Sequence, residues 1–153
     1  PWGLTSFLID RNQLLPSLGI LGGLEPVLPV HILSSEAFKI LSMVISPVSN
    51  ARPGKNILSL EISGSNGTLF SSDIQQGTLT HIDVPKGLSA KLKALPKSGT
   101  DIGLGEPGLG GEFELEGGGL GLVVDARGRP IKDAKDEEER SFQRAAWINM
   151  LEG

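Results

Sequence analysis

The sequence predicts a mainly β fold, a small barrel or sandwich with an N-terminal apolar arm and a C-terminal α-helix. From Lys55 onward, apolar and polar residues alternate with a period of two along much of the chain, as in half-buried strands. Clusters of Gly, Pro, Asn and Ser separate these runs at short intervals, which is typical of sandwiches and barrels. With 21 glycines and 10 prolines in 153 residues, a helical bundle is disfavoured.

Length and charge restrict what such a chain can do. A chain of 153 residues fits one domain, and an aromatic content of 5% predicts a core of Leu, Ile and Val. The formal charge of −4 argues against a nucleic-acid binder, and no apolar run approaches the roughly 20 residues that cross a membrane. The absence of cysteine excludes disulfides and a thiol nucleophile. Because the chain begins at Pro1 without a basic leader, we expect a piece of a longer cytoplasmic protein.

Residues 1–33 are predicted to form the apolar arm. This segment is rich in Leu and Ile but lacks clean periodicity, since Gly or Pro interrupts it every few residues. A short helical turn between residues 10 and 21 fits the pattern, whereas a long helix does not. We interpret the arm as a segment that packs on the core, or as the joint to an upstream domain.

The β domain is expected to span residues 34–132. The first residues of this domain contain a helix signal and a strand signal. Ser34 and Ser35 can cap a short helix over residues 36–43, and the same stretch holds a strand signal around residues 42–46. We expect the helix first and the strand at its end.

Beyond residue 55 the alternation predicts further strands joined by turns. Asn66-Gly67 is a strong hairpin signal because both residue types tolerate a positive φ. The glycine-rich stretch after residue 99 is expected to be mostly loop. The alternating runs predict strands at 57–63, 68–74, 79–84, 88–95 and 112–116, and the apolar run 120–125 predicts a strand that could be buried on both faces.

The last segment, residues 133–153, is predicted to contain the C-terminal helix. Asp136 can act as the N-cap, with a glutamate three residues later, and residues 141–151 have helical periodicity. Phe142 is expected to dock this helix on the core, with Trp147 as a second candidate.

One glycine-rich stretch has the letters of a phosphate-binding motif. The run Gly103-Leu104-Gly105-Glu106-Pro107-Gly108 fits G-x-G-x-x-G. However, Pro107 and the residues after it do not start the helix on which a nucleotide phosphate would sit. We therefore interpret this stretch as a loop between strands, and we expect no cofactor.

Asp125, Arg127 and Arg129 form the sharpest polar constellation, on a predicted turn after a buried strand. Guanidinium groups suit carboxylates and phosphates, so one interpretation is a contact with an anion or an acidic partner surface. The other is local: Asp125 accepts N–H groups of the turn, and Gly128 supplies a positive φ. In that case the arginines would pair with nearby acids: Glu112, Glu114, Glu116 or the run 136–139. The local interpretation is favoured because turn residues commonly act in this way.

No catalytic or metal-binding residue is predicted. His31 and His81 are the only histidines and lie fifty positions apart, which is too few ligands for a metal site. His81 with Asp83, and Glu112 with Glu114, are pairs that could exchange protons, but exposed strand faces explain both. We therefore do not expect an enzyme.

The C-terminal half resembles a known family. The runs DIGLGEPG and GGGLGLVVDARGRPI, followed by acidic residues, an Arg and a Trp-containing helix, are similar to the end of the glutamate mutase L-type family. Upstream, LLPSLGIL and QQGTLTHIDVPKGLSAKLKALP are similar to that family's C-terminal region, so the resemblance covers most of the chain.

This resemblance implies an origin in larger proteins whose N-terminal part is an actin/Hsp70-like ATPase. Such proteins are presumed to act as chaperones or reactivating factors for a mutase. The chain contains no phosphate loop of that ATPase, so the resemblance assigns no functional residue here.

The leading hypothesis is a non-catalytic C-terminal accessory domain that binds a partner protein or the upstream domain of the same polypeptide. It would bury residues 1–30 and a strand edge or turn, with Arg127 and Arg129 as polar anchors, and it predicts an apolar patch on residues 1–30. The alternative is a small module that binds an anionic ligand through the glycine-rich loops 99–111 and 117–121 and the same arginines. That alternative predicts a pocket where arginines and glycine amides converge. Neither hypothesis involves nucleic acid or a membrane.

Overall fold

A computed structural model of the protein describes residues 3–33, 35, 37–128, 131 and 134–152. Within these residues the chain forms ten strands and three helices, so the predicted mainly β fold is confirmed. In chain order they are β1 Gly3–Ile9, α1 Leu15–Leu24, α2 Val27–Leu33, β2 Lys39–Ser46, β3 Val48–Ser49, β4 Asn56–Gly64, β5 Gly67–Gln75, β6 Leu79–Ile82, β7 Ser89–Pro96, β8 Thr100–Asp101, β9 Gly111–Glu116, β10 Leu122–Asp125 and α3 Glu137–Glu152.

Two four-stranded sheets form the body of the molecule. The first has the strand order β1-β2-β10-β6 and the second β5-β4-β7-β9, while the short strands β3 and β8 pair separately. Neighbouring strands are antiparallel except for β2 and β10, which are parallel. Within the described residues both sheets are open, and one core joins residues from each. The fold is therefore sandwich-like rather than a closed barrel.

An aliphatic core lies between the two sheets. In β7, Ala90, Leu92 and Ala94 are buried while the residues between them are exposed, which confirms the alternation predicted for residues 88–95. Burying an aliphatic side chain of the size of Leu contributes roughly 1.5–3 kcal/mol, so Leu92 stabilises the fold more than either alanine. The first sheet contributes Met43, Ile45, Ile82, Leu122 and Val124 to the same cluster.

The structure corrects the predicted helix over residues 36–43. Lys39–Ser46 form β2, which lies inside the first sheet between β1 and β10. Met43 and Ile45 are buried in the core, so burial and pairing on both sides outweigh the local helix signal. The competing strand signal around residues 42–46 is confirmed.

The turn before β2 uses one of the two predicted capping serines in another way. The hydroxyl of Ser35 donates to the carbonyl oxygen of Ile32 at 2.7 Å and accepts from the N–H of Ala37 at 3.3 Å. It therefore closes the turn after α2 instead of starting a new helix. Ser34 and Glu36, the other residues of the predicted cap, lie outside the described residues.

The N-terminal arm contains one strand and two short helices. β1 pairs with β2 along its length, a strand that the sequence did not predict because its apolar residues do not alternate. α1 and α2 contact each other, and Pro16 and Pro29 lie in their first turns, where a missing N–H breaks no helical hydrogen bond. Of the residues in these two helices, all of them described, Leu18 alone is buried.

The C-terminal helix α3 starts where its cap was predicted. The N–H of Glu139 donates to Asp136 Oδ1 at 2.8 Å. The helix lies against β6, but Phe142 is 76% exposed, so the prediction that this residue docks the helix is wrong. Trp147, the second candidate, is half-buried and lies five positions further along, on a different face of the helix.

The chain crosses from β9 to β10 through a glycine run that is packed between other backbone segments. A Cβ on Gly117 would lie 1.9 Å from the carbonyl oxygen of Pro85, and a Cβ on Gly118 would lie 2.4 Å from that of Leu41. No side chain fits at such distances, so this close approach requires glycine at both positions. The run thereby lets β10 enter the middle of the first sheet.

Candidate functional site

β10 ends at a shielded ion pair between Asp125 and Arg127. Arg127 Nε donates to Asp125 Oδ1 at 2.8 Å, and Nη2 donates to Oδ2 at 2.9 Å, which is a bidentate geometry. The backbone N–H of Arg127 donates to the same Oδ1 at 3.3 Å. The two side chains are 8% and 16% exposed, so water has little access to the pair.

Arg127 also lies over the indole ring of Trp147. Its Cζ is 4.1 Å from the ring centroid, within the range of a cation–π contact. The guanidinium group is therefore bonded in its plane by Asp125 and contacted on one face by Trp147. This arrangement connects the end of β10 to α3.

The structure brings Asp125 and Arg127 together, whereas Arg129 lies outside the described residues. Asp125 accepts an N–H of the turn, and Gly128 has a φ of +92°. Both features were expected if these residues serve to shape the turn rather than to bind an external anion. Because Nε and Nη2 of Arg127 already donate to Asp125, this side chain has less capacity left to bind an external anion.

Gln76 is a residue of this region that sequence reasoning missed. It is 7% exposed, and a Cβ on Gly128 would lie 3.1 Å from its Nε2. Its Oε1 has no hydrogen-bond partner among the described residues. Its carbonyl accepts from the N–H of Gly54 at 2.8 Å, and its N–H donates to the carbonyl of Lys55 at 2.9 Å. Gln76 lies in a turn after β5, where alternation gives no signal of burial.

The G-x-G-x-x-G stretch is a loop between β8 and β9, as predicted. Gly103, Gly105 and Gly108 all have positive φ, and the next element is a strand rather than a helix. A Cβ on Gly103 would lie 2.9 Å from the Cα of Gly3, so this glycine lets the loop pack against β1. Like Gly117, Gly118 and Gly121, Gly103 faces protein backbone rather than an open site for an anion.

The other candidate acid–base groups lie at exposed positions. His31 and His81 are exposed, and His81 Nε2 lies 3.1 Å from the carbonyl oxygen of Leu120. Glu112 and Glu114 are exposed and stand opposite lysines of β7 in the strand register, where opposite charges stabilise a sheet. In the part of the chain that the structure describes, no three His, Asp or Glu residues come together as a metal site.

Exposed apolar side chains are concentrated on the N-terminal arm. Of the eighteen large hydrophobic residues that are exposed in the described chain, nine lie within residues 7–33. Ile20 and Leu24, both in α1, are 73% and 78% exposed. Such a concentration is typical of protein interaction sites. The other seven are Phe7, Leu8, Leu15, Val27, Leu28, Val30 and Leu33.

No helix among the described residues combines the length and the hydropathy of a membrane-crossing segment. Two features of the described residues stand out: the exposed apolar side chains of the arm and the shielded Asp125–Arg127–Trp147 cluster. Comparisons of the chain with protein-family models, with curated proteins and with solved structures each found no match.

Proposed function

We propose that this chain is a non-catalytic interaction module that binds a protein surface through its N-terminal arm. The observation that carries the proposal is the concentration of exposed apolar side chains on β1, α1 and α2, with Ile20 and Leu24 more exposed than buried. Covering apolar surface is favourable by roughly 25 cal/mol per Å², so a partner that buries the arm gains affinity from it.

The two helices of the arm depend on contacts beyond themselves. α1 has 10 residues and α2 has 7, and isolated helices of this length are marginal in water. α1 also contains three glycines, which are poor helix formers. With Leu18 as the one buried residue of this pair, we infer that a partner surface adds the packing that the helices lack.

The charge of the two arm helices favours a protein partner over a membrane surface. Residues 15–33 contain Glu25 and His31 but no Lys or Arg. Helices that lie on membranes usually carry basic residues that attract anionic lipids. A nearly uncharged apolar surface is instead typical of the core of a lasting protein interface.

The resemblance to the glutamate mutase L-type family suggests the kind of protein in which the module acts. We propose a larger ATPase-like protein, of the chaperone or reactivating type that accompanies a mutase. The arm would pack on an upstream domain of the same polypeptide or on a partner protein. We propose that this interaction takes place in the cytoplasm.

Photocrosslinking from the arm tests this proposal in the protein as the cell makes it. A photoreactive residue at position 20 should give one discrete crosslinked product that maps to a single partner segment. Leu24→Asp should remove this product, because it places a charge in the apolar surface. The β sandwich should still fold, since Leu24 is 78% exposed.

Leu109 provides the matched control. It is 49% exposed but lies in the loop before β9, outside the arm. A photoreactive residue at position 109 should give no discrete product, and Leu109→Asp should leave the product from position 20 unchanged. Equal crosslinking from positions 20 and 109, or a product from position 20 that survives Leu24→Asp, would contradict the proposal.

A further inference from the structure

A cleft of about 490 Å³ opens where β3, the start of β4 and the turn between β7 and β8 meet. Lys55 and Lys97 belong to its lining, and the lining contains no carboxylate. Two other clefts among the described residues, of about 460 and 540 Å³, each include an acid: Asp83 in one and Glu116 in the other. In a protein of formal charge −4, a cleft with only cationic charge is a distinct feature.

Two hydroxyl groups form a fixed part of this cleft. Thr100 is 1% exposed, and its Oγ1 donates to Ser49 Oγ at 3.1 Å, across the pairing of β3 with β8. The N–H of Ala51 donates to the same Ser49 oxygen at 3.2 Å. The Ser49 hydroxyl accepts from the N–H of Ala51 and shares a hydrogen bond with Thr100, so its own proton is available to a ligand when Thr100 is the donor. A donor of this kind suits an oxyanion.

Asp73 contacts the lining through Asn56, and both of its carboxylate oxygens accept hydrogen bonds. Asn56 Nδ2 donates to Asp73 Oδ2 at 3.0 Å, and the hydroxyl of Ser59 donates to Oδ1. Both carboxylate oxygens of Asp73 already have a hydrogen-bond donor. Asp73 is therefore a weaker competitor for the two lysines than an unbonded carboxylate would be.

We propose that this cleft binds a small oxyanion of the phosphate type. Lys55 and Lys97 supply two positive charges, and Ser49 supplies a hydrogen bond from a fixed position. Lysine is a common phosphate ligand that acts as a point charge, and two lysines balance a phosphate dianion better than a monovalent carboxylate. This site is separate from the N-terminal arm, so its ligand does not depend on the partner proposed above.

An NMR titration with inorganic phosphate tests the site. The backbone amide signals of residues 49–52, 54–57 and 97–100 should shift and saturate together. Lys55→Gln and Lys97→Gln should each weaken phosphate binding roughly tenfold, as expected for the loss of one charge-assisted contact. Ser49→Ala should weaken it by a smaller factor. Acetate should bind more weakly than phosphate, and a melting curve confirms that each variant is folded.

Lys91→Gln with Lys93→Gln is the matched control. These substitutions remove two positive charges outside the cleft. Both lysines lie on β7, at positions opposite Glu114 and Glu112. They should leave phosphate binding unchanged within a factor of about two, because exposed charges outside the cleft are screened by salt. Non-saturating shifts, an equal loss in the control, or acetate binding as tight as phosphate would each overturn the proposal. Tighter binding of a phosphate monoester than of free phosphate would support it and identify a phosphorylated molecule as the source.

Discussion

Arg127 interacts with two parts of the chain at once, with Asp125 in its own turn and with Trp147 in α3. Lysine would keep the charge but lose the two-pronged donor geometry and the planar stacking. We expect Arg127→Lys to lower the free energy of unfolding by about 1–2 kcal/mol and to loosen α3. Chemical denaturation followed by the fluorescence of Trp147, with Trp2 replaced by Phe, measures both effects.

Arg140→Lys is the control for this prediction. Arg140 donates to Glu137 at 2.8 Å, but its side chain is 56% exposed, and exposed ion pairs contribute little. Its substitution should leave the free energy of unfolding nearly unchanged. If the lysine variants at positions 127 and 140 behave alike, the contact between Arg127 and Trp147 does not hold α3.

Asp10 stabilises the start of α1 from a position before the helix. Its carboxylate accepts the N–H of Leu15 at 2.8 Å and that of Leu14 at 2.9 Å. These bonds, the one from Leu15 first, lower the pKa of Asp10 below that of an unperturbed aspartate. Because the folded pKa is the lower one, the stability that these bonds contribute is present above the unfolded pKa. It is lost as the pH falls through the folded pKa.

Asp10→Asn separates the hydrogen bonds from the titration. The variant keeps a side-chain oxygen that accepts an N–H but has no proton to gain. We expect the wild type to lose stability of α1 on acidification below the unfolded pKa, and the Asn variant to lack this component. An NMR titration of the Asp10 carboxyl carbon measures the pKa directly. A pKa equal to or above that of aspartate in an unstructured peptide would show that these bonds do not form in solution.

Among the connections between elements, the crossing from β9 to β10 leaves no room for an added Cβ at Gly117 or Gly118. A Cβ on Gly118 would meet the backbone of Leu41 at 2.4 Å, and that carbonyl already accepts the N–H of Leu120 at 2.8 Å. Backbone on both sides cannot move without disturbing β2. We therefore expect Gly118→Ala to lower the free energy of unfolding by about 2–4 kcal/mol in urea denaturation.

Gly119→Ala tests whether this cost comes from the contact or from glycine content alone. The nearest atom to a Cβ on Gly119 is the side-chain Cδ1 of Leu41, at 3.4 Å, which is an ordinary contact distance. This substitution should change the free energy of unfolding by less than about 1 kcal/mol. Comparable destabilisation by the alanine variants at positions 118 and 119 would contradict the packing explanation.

β2 shows why an element can differ from its local signal. Two serines followed by a glutamate resemble a helix start, and this local pattern predicted a helix over residues 36–43. However, Lys39–Ser46 pair with β1, and residues 43–45 also pair with β10, so the second half of this segment gains hydrogen bonds on both sides together with burial. Neither neighbouring strand can be identified from the residues of β2 themselves.

At the scale of the whole molecule, the two ends of the chain relate to the sandwich in different ways. α3 is tied to the body through Arg127 and Trp147 and lies against β6. The helices of the N-terminal arm contact each other and expose most of their apolar side chains. This difference supports the arm, rather than the C-terminal helix, as the surface proposed to bind a protein.

The sequence by itself determined the alternating strands β4, β5, β6, β7 and β9, the apolar strand β10, the loop at Gly103 and the cap of α3 at Asp136. Strands and helix caps depend on residues that are neighbours in the sequence, so the sequence pattern predicts them. Only the tertiary structure decided that Gly3–Ile9 is a strand, that β2 and β10 are parallel partners, and that Arg127 meets Trp147. Each of these contacts joins segments far apart in the chain. Local periodicity shows that a residue is buried or paired, but it does not show which distant residue is its partner.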